Sequence, residues 1–351
     1  MATSVPGIDL ERVVPWFRAN VAPVDDLSAE VIGHGRSNIT YRLRADGQQW
    51  VLRRPPLSHV QPTAHDMRRE FRVISALADS EVPVPRTFAL CEDTSVNDAP
   101  FYVMQYVEGM VPLDAPTFAR SFDEGQRRRI ADELIDILVH LHSVTPGDVG
   151  LADFGKPEGY LERQVHRFTD QLARAKTREL PELEDMARRL AAALPTQSDA
   201  TIVHGDYRLD NAILDEGGHI AAILDWEMAT LGDPLADVGL LMMYWADADE
   251  VSMMAAPGIA SVAVTALPGF PTRQEAADRY AQRSGRDLAN LDFYTVLAHF
   301  KLAVILENMH ARFLAGGTVG AGFEVIGQQV LLLANRRLKI ANGSSVAALR
   351  G

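Results

Sequence analysis

The chain has 351 residues, of which 47% are hydrophobic and 23% charged. This composition excludes wholesale disorder, and the length suits about two domains or one large bilobed unit. The formal net charge of −13 argues against a nucleic-acid partner, because binding to phosphates requires a basic surface. The single cysteine, Cys91, excludes an intrachain disulfide framework and fits a reducing cytosol.

The N-terminal residues contain neither a basic cluster nor an apolar run, so no signal peptide is predicted. The longest segment without a charged residue covers 251–272, but Pro257, Pro268 and two glycines interrupt it, which argues against a membrane span. We interpret this segment as an insert or a lid. We therefore expect a cytoplasmic protein without a membrane partner.

The first hundred residues predict strands joined by turns, with Asp46-Gly47 as one turn and a helix at 64–78, where apolar residues repeat at helical spacing. The predicted strands cover 29–33, 40–44, 48–53 and 101–107. Pro55-Pro56 ends the third of them. This part of the chain therefore predicts a small antiparallel lobe.

From Ser121 onward the pattern is mainly helical, and Ser121 with Glu124 matches a capping box at the start of the first long helix. Further helices are predicted at 160–175, 181–194 and 292–313, with a strand-rich island at 201–226. A small sheet lobe followed by a larger helical lobe is an α+β plan with a cleft between the lobes. We expect the boundary near 108–111, which divides the chain into residues 1–108 and 109–351.

The island contains two short apolar runs, 212–215 and 219–224, joined by Glu216-Gly217-Gly218, a hairpin signal. Asn211 enters the first strand and Asp225 leaves the second, so antiparallel pairing puts both residues at the same end. The loop at 204–210, which contains Asp206, lies at that end too. These three side chains are therefore expected to converge, and such a set suits a hard divalent cation beside a general base.

The same residues resemble the catalytic loop of protein kinases. His204-Gly-Asp206 and Asn211 have the spacing of H-R-D-x-x-x-x-N, and Asp225-Trp-Glu stands in the place of D-F-G. The glycine after His204 and the Trp-Glu pair resemble the aminoglycoside phosphotransferase and choline kinase-like families, and most closely the phosphotransferase domains fused to some acyl-CoA dehydrogenases. The likeness extends from Val51-Leu-Arg-Arg to Phe300-Lys-Leu-Ala. It implies a bilobed protein-kinase-like fold.

The resemblance also implies roles for individual residues. Asp206 would orient and deprotonate an acceptor hydroxyl, and Asn211 with Asp225 would hold Mg²⁺. Arg208 would balance charge on the transferred phosphoryl group, or else it is a solvated loop arginine. Asp237 would hold the catalytic loop from beneath, or else it is an ordinary acid in the first turn of a helix.

On the nucleotide side, Gly33 and Gly35 join two predicted strands and would let backbone N–H groups approach phosphates. The third glycine of the kinase loop G-x-G-x-x-G is replaced by Asn38. Adenine is expected against backbone groups near Gln105 to Val107. These two segments define the expected binding site for ATP or GTP.

Strand alternation puts Val51 and Arg53 on one face of the third strand. By the resemblance, Val51 lies over adenine and Arg53 replaces the kinase lysine that contacts the phosphates. The arginine is able to pair with Glu70 on the next helix, although the substitution is also compatible with weakened catalysis. Arg54, beside two prolines, is expected to be solvated.

The favoured interpretation is a phosphotransferase that moves the γ-phosphoryl group of ATP or GTP to a hydroxyl of a small molecule. A non-catalytic nucleotide-binding scaffold and a metal-dependent hydrolase built on His204 are the alternatives. The candidate acceptor segments at 240–245 and 253–260 are mostly apolar, and their nearby acids are Asp247, Asp249 and Glu250. We therefore expect a hydroxy acid or its acyl thioester ahead of a polycationic aminoglycoside.

Overall fold

A computed structural model describes residues 5–32, 38–57, 66–197, 199–247, 263–317 and 323–350. The predicted phosphate-loop glycines Gly33 and Gly35 lie outside the described residues, as do Asp249, Glu250 and residues 251–262 of the interpreted insert.

The first part of the chain forms a five-stranded antiparallel sheet with the order β1-β2-β3-β5-β4. The strands are β1 (Ser28–Ile32), β2 (Ile39–Ala45), β3 (Gln48–Arg54), β4 (Thr87–Cys91) and β5 (Phe101–Gln105). Asp46 and Gly47 join β2 to β3 with φ angles of 50° and 74°. Positive φ at both central residues is what a tight hairpin turn requires, so this predicted turn is confirmed.

Helices flank this sheet. They are α1 (Leu10–Asn20), α2 (Met67–Leu77) and the short α3 (Thr94–Asn97). Helix α1 was not predicted; its Val13 and Phe17 pack against Trp50 and Leu52. Val51 belongs to a different core, which includes the buried face of α2. The predicted alternation along β3 is thus confirmed, and it turns one face of the strand toward α2 and the interior of the molecule.

The rest of the described chain is mainly helical. Its helices are α4 (Ala115–Ser121), α5 (Glu124–Ser143), α6 (Tyr160–Ala175), α7 (Pro181–Ala192), α8 (Leu235–Tyr244), α9 (Arg273–Ser284), α10 (Leu291–Leu314) and α11 (Ile326–Gly343). Helix α10 is central, since it packs against α6, α7, α8 and α11. The predicted α+β architecture is confirmed.

The predicted capping box of α5 was wrong by two residues. Asp123 caps the helix and exchanges hydrogen bonds with Gln126, whereas Ser121 is the last residue of α4 and its hydroxyl donates to the Thr117 carbonyl. The sequence offers two overlapping matches to the motif, and the extended backbone of Phe122 separates the two helices in favour of the second.

Two small antiparallel pairs lie within the helical part. They are β6 (Thr201–Val203) with β9 (Thr230–Gly232), and the hairpin β7 (Ala212–Leu214) with β8 (Ile220–Ile223). Met110 exchanges backbone hydrogen bonds of 2.8 and 2.9 Å with Leu214, which fixes the hairpin to the segment that follows β5. Within the described ranges, no helix has the combined length and apolarity needed to cross a bilayer.

Candidate active site

The hairpin positions two of the predicted residues. The amide of Leu224 donates to the carbonyl of Asn211 at 2.7 Å, which extends the β7–β8 pairing by one step and places Asp225 next to Asn211 at the same end. Asp225 has a φ of 66°, a left-handed conformation that directs the chain away from β8 into a short 3₁₀ turn, Trp226–Met228.

A cleft of about 320 Å³ lies between the sheet and this hairpin, a volume in the range of small-ligand sites. Seven of the predicted residues line it: Val51, Arg53, Glu70, Gln105, Val107, Asn211 and Asp225. Gln105 uses its own amide N–H to bond the Arg86 carbonyl at 2.7 Å. An adenine ring would therefore find its backbone partners further along, toward Val107.

Asp206 and Arg208 are not part of the cleft lining, but Asp206 is bonded to Asn211, which is. The Asn211 Nδ2 donates to the backbone carbonyl of Asp206 at 2.8 Å and to its Oδ2 at 3.0 Å. This assigns the amide nitrogen to Asp206 and leaves the amide oxygen of Asn211 for a cation. Burial raises the pKa of the Asp206 carboxyl, although the nearby Arg208 opposes that change.

Arg208 is not a solvated loop arginine, because only 26% of its side chain is exposed. Its guanidinium lies 2.9 Å from Asp210 and 4.8 Å from the centre of the Tyr244 ring. Its Nε is 3.4 Å from Asp206 Oδ1 and has no hydrogen-bond partner among the described residues. Arg208 thus presents a buried cationic donor beside the candidate base.

His204 braces this loop. Its Nε2 donates to the Leu224 carbonyl at 2.9 Å, its Nδ1 accepts from the Asp206 amide at 3.2 Å, and its ring lies 4.5 Å from that of Trp226. The side chain is fully buried. Because both ring nitrogens are used internally, His204 offers no ligand for the metal of a hydrolase.

Steric crowding explains why glycine stands at position 205, where protein kinases have arginine. Gly205 has a φ of 84°, and a Cβ at this position would lie 2.7 Å from the carbonyl oxygen of Met228. The loop is held from below by Asp237, whose carboxylate accepts from the amides of His204 at 2.6 Å and Gly205 at 2.8 Å. This is the placement that the resemblance implied.

Sequence reasoning missed the residues behind Asp237. His142 of α5 places its Nε2 3.4 Å from Asp237, and its Nδ1 lies 2.7 Å from the Tyr280 hydroxyl of α9. Burial opposes ionisation of Asp237, but the hydrogen bond from His142 and the charges and amides around it leave the pKa of Asp237 below its usual value. The apolar spacing of α5 alone does not distinguish His142 from a core residue.

Arg53 bridges two carboxylates at the inner end of the cleft. Its Nε donates to Glu70 at 3.1 Å and its Nη2 to Asp225 at 2.5 Å, while Glu227 lies 3.9 Å away. Burial, opposed by Arg53, raises the pKa of Glu70 to about 7. One guanidinium thus faces three carboxyl groups, an arrangement that favours the arrival of a further cation.

The prediction that Arg54 is solvated was wrong. Its side chain is buried and donates to the backbone carbonyls of Gly7 and Asn97. These partners lie more than forty residues away along the chain, so nothing near the Pro55-Pro56 step indicates them.

Two described residues of the candidate acceptor side, Trp245 and Asp247, make contacts within the fold. Trp245 is fully buried and donates to the Pro271 carbonyl. Asp247 accepts from the Arg273 amide at 2.8 Å, at the start of α9. Lys301 lies 5.4 Å from the centre of the Phe168 ring, and burial lowers its pKa.

The donor set suits Mg²⁺ rather than a transition metal. In the part of the chain that the structure describes, no three His, Cys, Asp or Glu side chains form a ready-made metal cage. Mg²⁺ bound with a nucleotide needs only one or two protein oxygens beside phosphates and water. The Asn211 amide oxygen and the Asp225 carboxylate, both in the cleft lining, fit that requirement.

Comparison with known proteins gives consistent results. The model of the phosphotransferase enzyme family matches residues 28–294. Acyl-CoA dehydrogenase family member 10 of Mus musculus is 38% identical over 81% of this chain, and family member 11 of Gallus gallus is 32% identical over 97%. The chain spans only 26% and 43% of those two relatives.

A solved structure from Ralstonia eutropha, provisionally assigned as an aminoglycoside phosphotransferase, superposes with a TM-score of 0.79. It is 32% identical, and the match covers 95% of this chain and 98% of that one. The similarity thus includes both the sheet and the helices around the cleft.

Proposed function

This chain belongs to the phosphotransferase enzyme family, and from that membership we propose that it transfers the γ-phosphoryl group of ATP or GTP to a hydroxyl of a small molecule. The family resemblance and the bilobed kinase-like fold expected from the sequence are confirmed. The observation that supports the specific reaction is the contact of Asp206 with Asn211, which lines the cleft together with Asp225.

In this proposal Asp206 accepts the proton of the acceptor hydroxyl. Asn211 occupies one site on Oδ2 of Asp206, and a carboxylate has further lone pairs for the incoming hydroxyl. Burial, which raises the pKa of Asp206, makes the carboxylate a better proton acceptor than an exposed aspartate. Arg208 donates from Nε to an oxygen of the transferred group, where negative charge has to be balanced.

The other residues hold the nucleotide. When bound, Mg²⁺ would supply positive charge that neutralises the nucleotide phosphates. Asn211 and Asp225 would hold it. Arg53 supports Asp225 while its guanidinium faces the cleft, and Val51 with the segment near Val107 contacts the base.

We further propose a hydroxy acid or its acyl thioester as the acceptor rather than an aminoglycoside. An aminoglycoside site needs several carboxylates for its ammonium groups. Asp247 is engaged at the start of α9, and Trp245 is part of the core. The names of the two dehydrogenase relatives support an acyl-type acceptor by analogy.

Nucleotide binding is the first test. Calorimetric titration with ATP, and separately with GTP, is expected to show binding in the presence of Mg²⁺ and much weaker binding in EDTA. Asp225→Asn is the matched variant, and it should lose most of the effect of Mg²⁺ because it removes a negatively charged ligand. Absence of nucleotide binding by the parent chain would refute the proposal.

Acceptor identity requires an ATP-consumption screen over hydroxy acids, their acyl thioesters, amino alcohols, sugars and aminoglycosides. The Asp206→Asn protein, prepared in parallel, serves as the blank, and its ATP consumption measures the contribution of contaminating kinases. Turnover with hydroxy acids or thioesters is expected. A clear preference for aminoglycosides would overturn the acceptor class and leave phosphotransfer intact. Nucleotide binding without turnover on any alcohol would favour the non-catalytic scaffold.

A further inference from the structure

Two departures from the protein-kinase motifs contact each other. Asn38 stands where G-x-G-x-x-G has its third glycine, and Glu227 stands where D-F-G has its glycine. In the structure the Asn38 Nδ2 donates to Glu227 Oε2 at 2.9 Å. The two residues are 189 positions apart in sequence, and the bond joins the start of β2 to the segment that follows Asp225.

The orientation of the Asn38 amide follows from its partner. A carboxylate only accepts hydrogen bonds, so the nitrogen must face Glu227 and the oxygen must face away. Asn38 is 4% exposed and lines the nucleotide cleft, and its Oδ1 has no hydrogen-bond partner among the described residues. A buried acceptor of this kind is costly unless something satisfies it. Because Asn38 lines the cleft, a water or a ribose hydroxyl bound there is a candidate donor to this oxygen.

The bond also acts on Asp225. Glu227 belongs to the 3₁₀ turn that begins directly after Asp225, and Asp225 itself has left-handed backbone geometry, which is uncommon for residues other than glycine. Arg53 holds the Asp225 side chain at 2.5 Å, and Asn38 holds the turn that follows it. A fixed turn fixes the direction of the Asp225 carboxylate.

We propose that Asn38 and Glu227 form an interlobe latch, a pair of positioning residues that holds β2 against the segment after Asp225 and pre-organises the cleft for MgATP. The proposal rests on the nucleotide-binding function given above. Without the latch, binding has to order the two segments first, and affinity falls by the cost of that ordering. Loss of the latch should therefore raise the Kd and the KM for the nucleotide and leave the KM for the acceptor unchanged.

A double-mutant cycle tests the latch through the calorimetric Kd for ATP at saturating Mg²⁺. Asn38→Ala and Glu227→Ala are each expected to raise Kd about tenfold, the scale of one hydrogen bond to a charged group. The double variant should be no weaker than the weaker single one. Asn38→Asp should raise Kd at least as much, since it places two carboxylates opposite each other. Combining Asn38→Asp with Glu227→Gln exchanges donor and acceptor, and this should restore Kd to within about threefold of the parent.

Thermal unfolding of each protein separates loss of affinity from loss of fold. Recovery of Kd in the exchanged pair cannot result from general destabilisation, because that pair carries two substitutions rather than one. Effects of the two alanine substitutions that multiply in the double variant, or an exchanged pair no better than Asn38→Asp alone, would overturn the latch while leaving the proposed function in place. A parent chain that does not bind ATP at all would overturn both.

Discussion

Arginine at position 53 makes contacts that a lysine in its place could not make. The guanidinium donates from Nε to Glu70 and from Nη2 to Asp225, two atoms held at fixed separation by the planar group. A lysine ammonium concentrates its donors at one point. The substitution thus lets one side chain connect α2 to the candidate metal ligand, and it is compatible with an active enzyme.

Replacing Arg53 by alanine should raise the Kd for MgATP about tenfold or more, because a charged donor to the phosphates is lost. Arg53→Lys should fall between parent and alanine, since it keeps the charge and loses one of the two bridging contacts. The control is Arg44→Ala in β2, an exposed arginine paired with Glu30 at 3.3 Å. Arg54 is unsuitable, because it is buried against backbone carbonyls. Equal small effects at positions 53 and 44 would contradict the phosphate contact.

Gly205→Ala should destabilise the chain by more than Gly47→Ala does. Both glycines have a positive φ, 84° and 74°, but an added Cβ meets the Met228 carbonyl at 2.7 Å in the first case and nothing within 4 Å in the second. Gly47→Ala therefore reports backbone strain alone, about 1–2 kcal/mol. Urea unfolding measures the difference, and turnover should fall only in Gly205→Ala. Similar unfolding free energies for the two variants would show that the catalytic loop can move to accommodate the methyl group.

Among the elements, α2 contacts both the nucleotide cleft and the helical part of the molecule. Glu70 faces Arg53, and the neighbouring Arg69 reaches to the helical part of the molecule. The Arg69 Nη2 donates to the carbonyls of Phe154 at 2.8 Å and Ala229 at 3.3 Å, and its guanidinium carbon lies 4.2 Å from the centre of the Phe154 ring. The helix that carries Glu70 is thereby fixed to the segment after Asp225.

Arg69→Ala is expected to loosen α2, which hydrogen exchange of the amides in 67–77 would register as lower protection. The KM for ATP should rise with it, since Glu70 then holds Arg53 less firmly. Arg68→Ala is a close control: it is the preceding residue of the same helix, its side chain is 67% exposed, and it pairs with Glu92. If both variants left exchange unchanged, the sheet alone would be holding α2.

The elements also show what the sequence could and could not predict. Counting from the Gly217-Gly218 turn was enough to place Asn211 and Asp225 together, because the outer ends of an antiparallel pair lie side by side, even though the register shifts between Ile213 and Leu214. Helix α1 was missed although Leu10, Val13 and Phe17 have helical spacing and Asp9 caps it; Pro15 within the helix obscured the pattern. The contacts of Asn38, Arg54 and Arg69 join distant segments, and single-sequence periodicity carries no information about them.

At the scale of the whole molecule, one buried histidine connects four parts of the fold. His142 of α5 contacts Tyr280 of α9 and Asp237 of α8, which in turn holds the catalytic loop. Burial lowers the pKa of His142 below its usual 6.5, despite the opposing effect of Asp237. Below about pH 6.5, His142 is therefore protonated in the unfolded chain but stays neutral in the native state.

This difference in proton binding makes the free energy of unfolding fall as the pH drops below about 6.5. The stabilising contribution is fully present above that value. His142→Gln should flatten this part of the curve of unfolding midpoint against pH, measured by calorimetry between about pH 5 and 8. His166→Gln is the control, since that side chain is 76% exposed. Parallel curves for the parent and the His142 variant would contradict the assigned linkage.

The arginine at position 53 has a consequence for chemical proteomics. Nucleotide probes that acylate an amine beside the phosphates depend on a lysine at this point of the cleft. The guanidinium of Arg53 stays protonated and is not a nucleophile toward an acyl group. The sequence has no lysine before Lys156, so the entire sheet is without a target. Such a probe should leave the sheet side of the cleft unlabelled even when the nucleotide site is fully occupied, so acylation of this strand would not report nucleotide binding.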